Sequence, residues 1–194
     1  MSGSLRAGST NTALLRTAAQ VVPEGVECRT YDGLARLPAF NPDDDSPPLP
    51  PEVERLREAI HVADAVVFST PEYAGALPGS LKNLLDWTIG DDHEGSIYDK
   101  PVSWLNASPR GADAAHQELR IVLGYAHARI VDAACARVPI TTAMIGPDGL
   151  VDDDASRETV SGALAALNGA LGRSGFPAQD RESGKVGGSA RISN

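Results

Sequence analysis

The sequence predicts an α/β protein in which helices cover both faces of a doubly wound parallel sheet, giving three layers. Two observations carry this prediction. Short, continuously apolar segments alternate along the chain with longer segments whose apolar residues recur every three or four positions. The short segments also lack the alternation of a half-exposed strand, which is typical of parallel strands buried on both faces.

Five segments carry the apolar spacing of a helix that packs one face on a core. Ser9 or Thr10 is expected to cap the first of them, since a hydroxyl before the first turn accepts from its free N–H groups. The first predicted helix begins at about Asn11 and stops at Pro23 and Gly25. The second follows Pro50 and Pro51 and presents Val53, Leu56 and Ile60, and the third presents Leu81, Leu84 and Leu85. The fourth is predicted over residues 113–127 and the fifth over residues 155–171.

Four strand candidates lie between these helices. Residues 64–70 and residues 100–108 are apolar runs with polar ends, and the second has Pro101 at its start, where a missing N–H is tolerated. Residues 27–31 and residues 128–131 are weaker candidates. Because ligands bind outside the carboxyl ends of the strands in such sheets, the loops that follow the strands are the expected place for a site.

Length and charge restrict the class of protein further. The chain has 194 residues and is 42% hydrophobic, which is enough for one domain, expected over residues 1–176. Residues 177–194 lack periodicity and are predicted to be a disordered tail, and the Pro- and Asp-rich residues 38–51 a loop or lid. A net charge of −9 argues against a nucleic-acid partner. No apolar run is long enough to cross a bilayer and no leader is present, so we expect a cytoplasmic protein without a membrane partner.

No metal site is expected. The four histidines do not share the spacing of metal ligands, and the two runs of three aspartates, at residues 43–45 and 152–154, lack the spacing of a calcium loop and are interpreted as solvated acidic turns. Cys28 and Cys135 stand alone and are interpreted as packing residues.

A loop of small and hydroxyl-bearing residues precedes the first helix. The first N–H groups of a helix have no intrahelical partner and attract a phosphate, to which an arginine adds a positive fork and a glycine a tight turn. An ordinary capped helix start remains the alternative. The candidate phosphate-binding residues are Ser4, Leu5, Arg6, Ala7, Gly8, Ser9, Thr10 and Asn11.

A second motif follows the strand predicted over residues 64–70. Pro71 fixes the backbone there, while Gly75 and Gly79 permit the close approach of another group. Backbone amides and the aromatic Tyr73 are placed to lie against a planar ring. The alternative is a plain strand-to-helix connection.

Together these loops resemble the NADPH-dependent FMN reductase family of flavodoxin-like proteins. Pro-Glu-Tyr at residues 71–73, followed by Leu-Pro-Gly-x-Leu-Lys-Asn-x-x-Asp-Trp at residues 77–87, is similar to the signature of that family, and the resemblance spans roughly residues 3–171. It implies a flavodoxin-like fold with bound FMN, whose phosphate lies in the first loop. The residues that it places against the flavin ring are Pro71, Glu72, Tyr73, Ala74, Ser108, Arg110 and Gly111. Two positions depart from the family, because Ala74 stands in place of Asn and Ala112 in place of a second Gly.

The resemblance also implies a function. NADPH or NADH would give a hydride to bound FMN, and a flavin, quinone or other small acceptor would take the electrons. No side chain is nominated as catalytic, since the flavin carries the redox chemistry. The family implies a homodimer, possibly a tetramer, and we expect its contact on the third helix, near an exposed Trp87. A flavodoxin-like electron carrier without enzymatic activity and a flavin-free binding module remain the alternatives.

The N-terminus departs from the implied fold. A flavodoxin-like sheet has its first strand at the centre, directly before the phosphate loop, yet only Met1 and Ser2 precede Gly3. The first, central strand is therefore missing from the predicted set. A start codon assigned too late is the favoured explanation, and a truncated variant with unpaired neighbouring strands is the alternative.

Overall fold

The computed structural model describes residues 1–91 and 93–172, so the tail predicted over residues 177–194 lies outside the described residues. The α/β class and the alternation of strands and helices are confirmed. The strands within these ranges are β1 (Val66–Phe68), β2 (Pro101–Asn106), β3 (Arg129–Ile130) and β4 (Ala136–Arg137). The helices are α1 (Thr10–Ala18), α2 (Pro51–His61), α3 (Gly79–Ile89), α4 (Asp113–Tyr125) and α5 (Asp154–Leu171).

The strand β2 is the centre of a parallel sheet, and all six of its residues are buried. On one side it pairs with β1, with Val66 opposite Val102. On the other side it pairs first with β3 and then with β4, which are separated by a 3-10 turn over Asp132–Ala134. The strand predicted over residues 128–131 is thus present as β3, whereas β4 carries no apolar run that would have predicted it.

The first residues of the chain lie beside the other edge of β1. The Ser69 N–H donates to the Met1 carbonyl oxygen (3.1 Å), and the Gly3 N–H donates to the Ser69 carbonyl oxygen (2.8 Å). The prediction of a strand over residues 27–31 is wrong, since no strand is assigned there. A strand over residues 27–31 would need a neighbouring strand as its partner. The segment beside β1, residues 1–3, offers too few backbone groups for such a ladder.

Helices pack on both faces of this sheet, which confirms the three layers. One core cluster joins α2, α3 and α4 to β1 and β2, and includes Leu56, Phe68, Leu81, Leu84, Trp104 and Leu119. The other joins α1 and α5 to the opposite face, and includes Leu14, Leu105, Val138, Ile140, Val160 and Leu164. The apolar spacing predicted α4 and α5 to within two residues at each end, and the helix predicted to follow Pro50 and Pro51 is present as α2.

The helix α1 ends earlier than predicted, at Ala18 rather than before Pro23. Two isolated turns follow it, in which the Gln20 N–H donates to Thr17 and the Val21 N–H to Ala18. The residue before a proline is driven away from helical dihedrals, and two adjacent valines favour extended backbone. The helix therefore stops before it reaches the proline.

Residues 38–51 form a loop that is strapped to α3. The Trp87 Nε1–H donates to the Pro38 carbonyl oxygen at 2.9 Å, and the Phe40 N–H donates to Asn83 Oδ1 at 2.7 Å. Phe40 also meets the Trp87 ring edge-on, with centroids 4.9 Å apart. The prediction of an exposed Trp87 is wrong, because its side chain is fully buried one turn after Leu84 on the inner face of α3.

A buried ion pair holds the far end of the same loop. The Arg57 guanidinium donates to Asp45 Oδ1 at 2.6 Å and to the Trp87 carbonyl oxygen at 2.9 and 3.0 Å. Both charged side chains are at most a tenth exposed, so the interpretation of residues 43–45 as a solvated turn is wrong for Asp45.

Cys28 is exposed, which contradicts its interpretation as a packing residue.

Asp91 fastens the segment after α3 to the end of α2. Its buried carboxylate lies 2.7 Å from His61 Nε2 and 3.0 Å from His93 Nδ1. Burial alone would raise the pKa of Asp91, but the hydrogen bonds with His93 and His61 outweigh it and lower that pKa below the ordinary 3.8. This contact lies beside the amino end of β1, opposite the carboxyl ends of the strands.

Candidate functional site

Three turns meet at the carboxyl edge of the sheet. The first turn (residues 3–9) leads into α1, the second turn (residues 70–78) joins β1 to α3, and the third turn (residues 107–112) joins β2 to α4. A Cβ on Gly3 would lie 2.5 Å from Thr70 Oγ1, so the first and second turns are in direct contact. A shared edge of parallel strands is where such folds bind ligands.

Ser69 joins the three elements below these turns. Its hydroxyl donates to the Leu105 carbonyl oxygen at 2.7 Å and lies 2.9 Å from Asn11 Oδ1. The residue is fully buried at the end of β1. Asn11 is therefore turned inward to orient α1, and its side chain is already engaged within the protein. Ser69 was not among the predicted site residues, although a hydroxyl inside an apolar strand is a usable signal.

The first turn has the features of an anion site. The N-cap residue Ser9 makes no side-chain hydrogen bond to α1, which leaves the first N–H groups of that helix without a side-chain acceptor. Gly8 has a φ of +69° and no atom within 4 Å of the position of a Cβ. Leu5, Arg6, Ala7 and Gly8 are exposed. The uncapped helix start, the open glycine and the adjacent guanidinium fit a phosphate group.

Ser4 and Ser2 shape the entry to the first turn. The Ser2 hydroxyl accepts from the Ser4 N–H at 3.2 Å, and the Ser4 hydroxyl accepts from the Arg6 N–H at 3.3 Å. The Ser2 hydroxyl also lies 3.0 Å from the hydroxyl of Thr12 on α1. These bonds place the backbone of the turn over the start of the helix.

The second turn is a tight hairpin after Pro71. Tyr73 and Ala76 exchange two backbone hydrogen bonds of 3.1 Å, and the two residues between them have positive φ, +52° at Ala74 and +75° at Gly75. This is the dihedral pattern of a type I′ turn, in which asparagine and glycine are favoured. Ala74 adopts this positive φ although alanine, unlike asparagine or glycine, is not favoured there. Tyr73 is 48% exposed, which leaves the face of the turn accessible to a planar group.

Two carboxylates fasten the second turn to α4. Glu72 Oε2 accepts from the Ala115 N–H at 3.1 Å, in the first turn of α4, and Glu118 Oε2 accepts from the Leu77 N–H at 2.6 Å. Glu72 therefore acts as a cap for α4 from a different loop, and its carboxylate is engaged within the protein. The sequence gives no sign of the role of Glu118, because its partner lies 41 residues away.

The third turn is organised by Asn106, the last residue of β2. Its side-chain amide donates to the Gly111 carbonyl oxygen, and its Oδ1 accepts from the Ser108 N–H at 2.9 Å. The Ser108 hydroxyl accepts from the Arg110 N–H at 3.3 Å. Gly111 has a φ of +106°, and Arg110 is exposed at the tip of the turn. Asn106 was not predicted as a site residue, although an amide side chain at the end of a buried strand is a usable signal.

Ala112 ends the third turn in a left-handed conformation, with φ +53° and ψ +39°. The position where the resemblance expects a glycine thus keeps glycine-like dihedrals in this chain. Its carbonyl oxygen accepts from the His116 N–H at 3.2 Å and from His116 Nδ1 at 2.8 Å. His116 is buried in the first turns of α4.

The predicted site residues of all three loops therefore lie along one edge of the sheet. Most face outward, whereas Ser9, Asn11 and Gly111 are buried. Contact between these residues and a flavin stays a prediction. Within the described ranges no three His, Cys, Asp or Glu side chains are grouped as metal ligands, and no helix is long and apolar enough to cross a membrane.

A three-layer α/β fold with an uncapped helix start beside an open hairpin turn is typical of mononucleotide-binding proteins of the flavodoxin type. Comparison with known proteins narrows this class. Residues 1–142 match the model of the NADPH-dependent FMN reductase family. The chain belongs to this family.

Individual relatives agree with this assignment. The chain is 35% identical over 169 residues to an NAD(P)H-dependent FMN reductase of Pseudomonas aeruginosa, covering 86% of this chain and 90% of that protein. It is 30% identical to a quinone reductase of Escherichia coli K12, with 85% and 89% covered. Among solved structures, the flavoenzyme NAD(P)H:(acceptor) oxidoreductase FerB of Paracoccus denitrificans is similar with a TM-score of 0.78 and 27% identity, covering 91% of this chain and 97% of that one.

The predicted family, the oxidoreductase class and the cofactors FMN and NAD(P)H are confirmed by these matches. The alternatives of a flavodoxin-like electron carrier and of a flavin-free module are not favoured, since the curated relatives are named as reductases.

Proposed function

We propose that this protein holds FMN across its three turns and uses it to move electrons from NADPH or NADH to a quinone, a flavin or a similar small acceptor. The observation that carries the proposal is the convergence of the three turns around Ser69, which unites an anion site and an open ring-facing surface. Bound FMN supplies the group that accepts a hydride and releases electrons.

The residues of the first turn bind the phosphate end in this proposal. Arg6 supplies a guanidinium, Ser4, Ser9 and Thr10 supply hydroxyl groups, and the first N–H groups of α1 supply the field of a helix start. Asn11 acts indirectly, by holding α1 against Ser69.

The second and third turns bind the ring end. The backbone from Pro71 to Ala74 and the turn formed by Ser108, Arg110 and Gly111 lie at the same edge of the sheet, where they would face the ring. Glu72, Glu118 and Asn106 fix these backbones, so little ordering remains for the cofactor to impose. No side chain of this chain is assigned an acid–base or nucleophilic role.

The first test is binding of FMN against riboflavin, which lacks the phosphate. Arg6→Ala should weaken FMN binding about 10- to 100-fold, as expected for loss of hydrogen bonds to a charged group, and leave riboflavin binding unchanged. Arg29→Ala is the control, because Arg29 is an exposed arginine paired with Glu27 outside the three turns. Equal loss for both flavins would contradict the assignment of the first turn to the phosphate.

The second test is turnover. The FMN-loaded protein should oxidise NADPH or NADH steadily with a quinone as acceptor, and comparison of the two nicotinamides gives the preference. Oxidation no faster than with free FMN would leave the electron-carrier alternative in place of the enzyme.

A homodimer, possibly extended to a tetramer, and a cytoplasmic location are part of this proposal. Support for self-association comes from α4, where Ile121 and Tyr125 are 52% and 81% exposed one turn apart. The solvent-facing side of α3, which includes Ile89, is the second candidate surface, in place of Trp87. Ile121→Lys should shift the mass in sedimentation equilibrium to that of one chain; an unchanged mass would move the contact elsewhere. Cell fractionation tests the location.

A further inference from the structure

His116 lies in α4 immediately after the third turn, and it is buried. The residue is 7% exposed. Its Nδ1 lies 2.8 Å from the Ala112 carbonyl oxygen, an atom that only accepts, so Nδ1 carries the proton and donates. The other nitrogen, Nε2, is then unprotonated, and it is buried with no hydrogen-bond partner among the described residues.

The bond from Nδ1 falls on a strained residue. Ala112 holds left-handed dihedrals, which for a residue with a Cβ cost about 1–2 kcal/mol. Ala112 is the N-cap residue of α4 and has no side chain that could cap the helix. The carbonyl oxygen of Ala112 instead accepts from the N–H and from the ring of His116. The left-handed conformation of Ala112, at the end of the third turn, is therefore supported by the Nδ1–H of an imidazole one turn below it.

Protonation of that imidazole places a charge on a buried atom. The carboxylates that face it are Glu72 on the second turn and Asp113 on α4, and both raise the pKa of His116. Its ring also packs against the Trp104 ring at 6.2 Å, and the Arg120 guanidinium lies over the same indole at 4.9 Å. Burial is the largest effect and lowers the pKa of His116 below the ordinary 6.5, because it outweighs the bond to the Ala112 carbonyl oxygen and the two carboxylates, which raise that pKa.

We propose that His116 is a positioning residue for FMN, which holds the third turn through the bond from Nδ1–H to the Ala112 carbonyl oxygen, and that a proton on its buried, unpartnered Nε2 opposes FMN binding. The inference rests on the proposed function. Its sign follows from the burial of Nε2, because a buried neutral histidine stabilises the folded site fully above about pH 6.5 and loses that contribution as the pH falls below this value. A proton on Nε2 requires the turn to open to water, whereas bound FMN requires it closed, so the two compete.

Two variants separate the functions of the two nitrogens. In His116→Asn the side-chain amide takes the place of Nδ1 and cannot be protonated, whereas in His116→Gln the amide reaches towards the position of Nε2 and leaves Ala112 without the side-chain donor. His127→Asn is the control, since it replaces an exposed histidine of left-handed conformation just beyond the other end of α4.

The measurement is the dissociation constant of FMN, followed by quenching of its fluorescence between about pH 7.5 and about pH 5.5. The phosphate of FMN itself titrates near pH 6, so the difference between the wild type and His116→Asn reports the histidine. The wild type should lose about 3- to 10-fold more affinity than His116→Asn over this range, and His116→Gln should bind about 3- to 10-fold more weakly at the upper pH. His127→Asn should follow the wild type.

Nitrogen NMR of histidine-labelled wild-type protein gives a readout that needs no variant. His116 should show the proton on Nδ1, and addition of FMN should lower its pKa. A common pH profile for the wild type and His116→Asn, a proton on Nε2, or a pKa unchanged by FMN would each overturn the role of His116. A wild-type protein that binds no FMN at any pH would instead refute the proposed function, and the assigned role with it.

Discussion

Replacing Glu118 by alanine removes one of the two carboxylates that fasten the second turn to α4. The Leu77 N–H then loses an acceptor at 2.6 Å. A hydrogen bond to a charged acceptor contributes about 1.5–3 kcal/mol, and the exposure of Glu118 places this one at or below the lower end. We expect a loss of about 1–1.5 kcal/mol in the free energy of unfolding, or about 2–6 °C in Tm for a domain of this size.

The same change should weaken FMN binding about 2- to 5-fold, because part of the ordering of the turn then falls on the binding step. Calorimetry of the FMN-free and FMN-bound protein measures both quantities. Glu158→Ala, at an exposed glutamate of α5, is the matched control and should change neither. Glu118→Gln keeps an acceptor oxygen and should fall between the wild type and the alanine variant.

A double-mutant cycle makes the reasoning refutable. Glu72 and Glu118 hold the same turn, so the effects of Glu72→Ala and Glu118→Ala should not add, and should differ from their sum by about 0.5–1 kcal/mol. Strict additivity, or a Glu118→Ala protein with wild-type Tm and wild-type FMN affinity, would show that the hydrogen bonds of Glu72 and Glu118 do not order the second turn.

Three further outcomes follow from the fold. Ala112→Gly should raise the free energy of unfolding by about 1 kcal/mol, because glycine relieves the left-handed dihedrals, whereas Ala114→Gly within α4 should lower it by a similar amount in chemical denaturation. Ser69→Ala should cost about 1–3 kcal/mol by leaving the buried Leu105 carbonyl oxygen unpaired, and should weaken FMN binding; unchanged values of both would remove Ser69 as the joint of the site. The pKa of Asp91 is lowered in the folded protein, so its stabilising contribution is present above the unfolded value near 3.8 and is lost as the pH falls through the folded value. Asp91→Asn should therefore flatten the acid limb of a plot of Tm against pH, and an identical limb would exclude this contribution.

The sequence predicted the elements that are apolar on both faces better than the backbone between them. The strand β2 was recognisable because residues 101–106 are buried on both sides, and α5 because its apolar spacing is regular. Trp87 was misplaced for a tertiary reason, since its cover comes from Pro38 and Phe40, more than 40 residues earlier in the chain.

Among the site residues, too, those whose role is local were predicted, whereas those whose role depends on a remote partner were not. The motifs identified the three turns, because glycine, proline and hydroxyl residues act locally. They did not reveal Glu118, whose partner is remote, nor the left-handed state of Ala112, which is an unfavourable conformation for alanine that the bonds from His116 support. Polar residues inside the buried strand runs, such as Ser69 and Asn106, were the readable signal that was overlooked.

The strapped loop over residues 38–51 is a fixed part of the layer formed by α2 and α3. Swinging it outward would separate Arg57 from Asp45 and strand a desolvated charge, at a penalty of about 3–5 kcal/mol, so the open form would be populated for less than about 1% of the time. Changes in the shape of the candidate site are then best sought in the protruding hairpin, at the exposed Ala74, whose φ of +52° would suit asparagine or glycine.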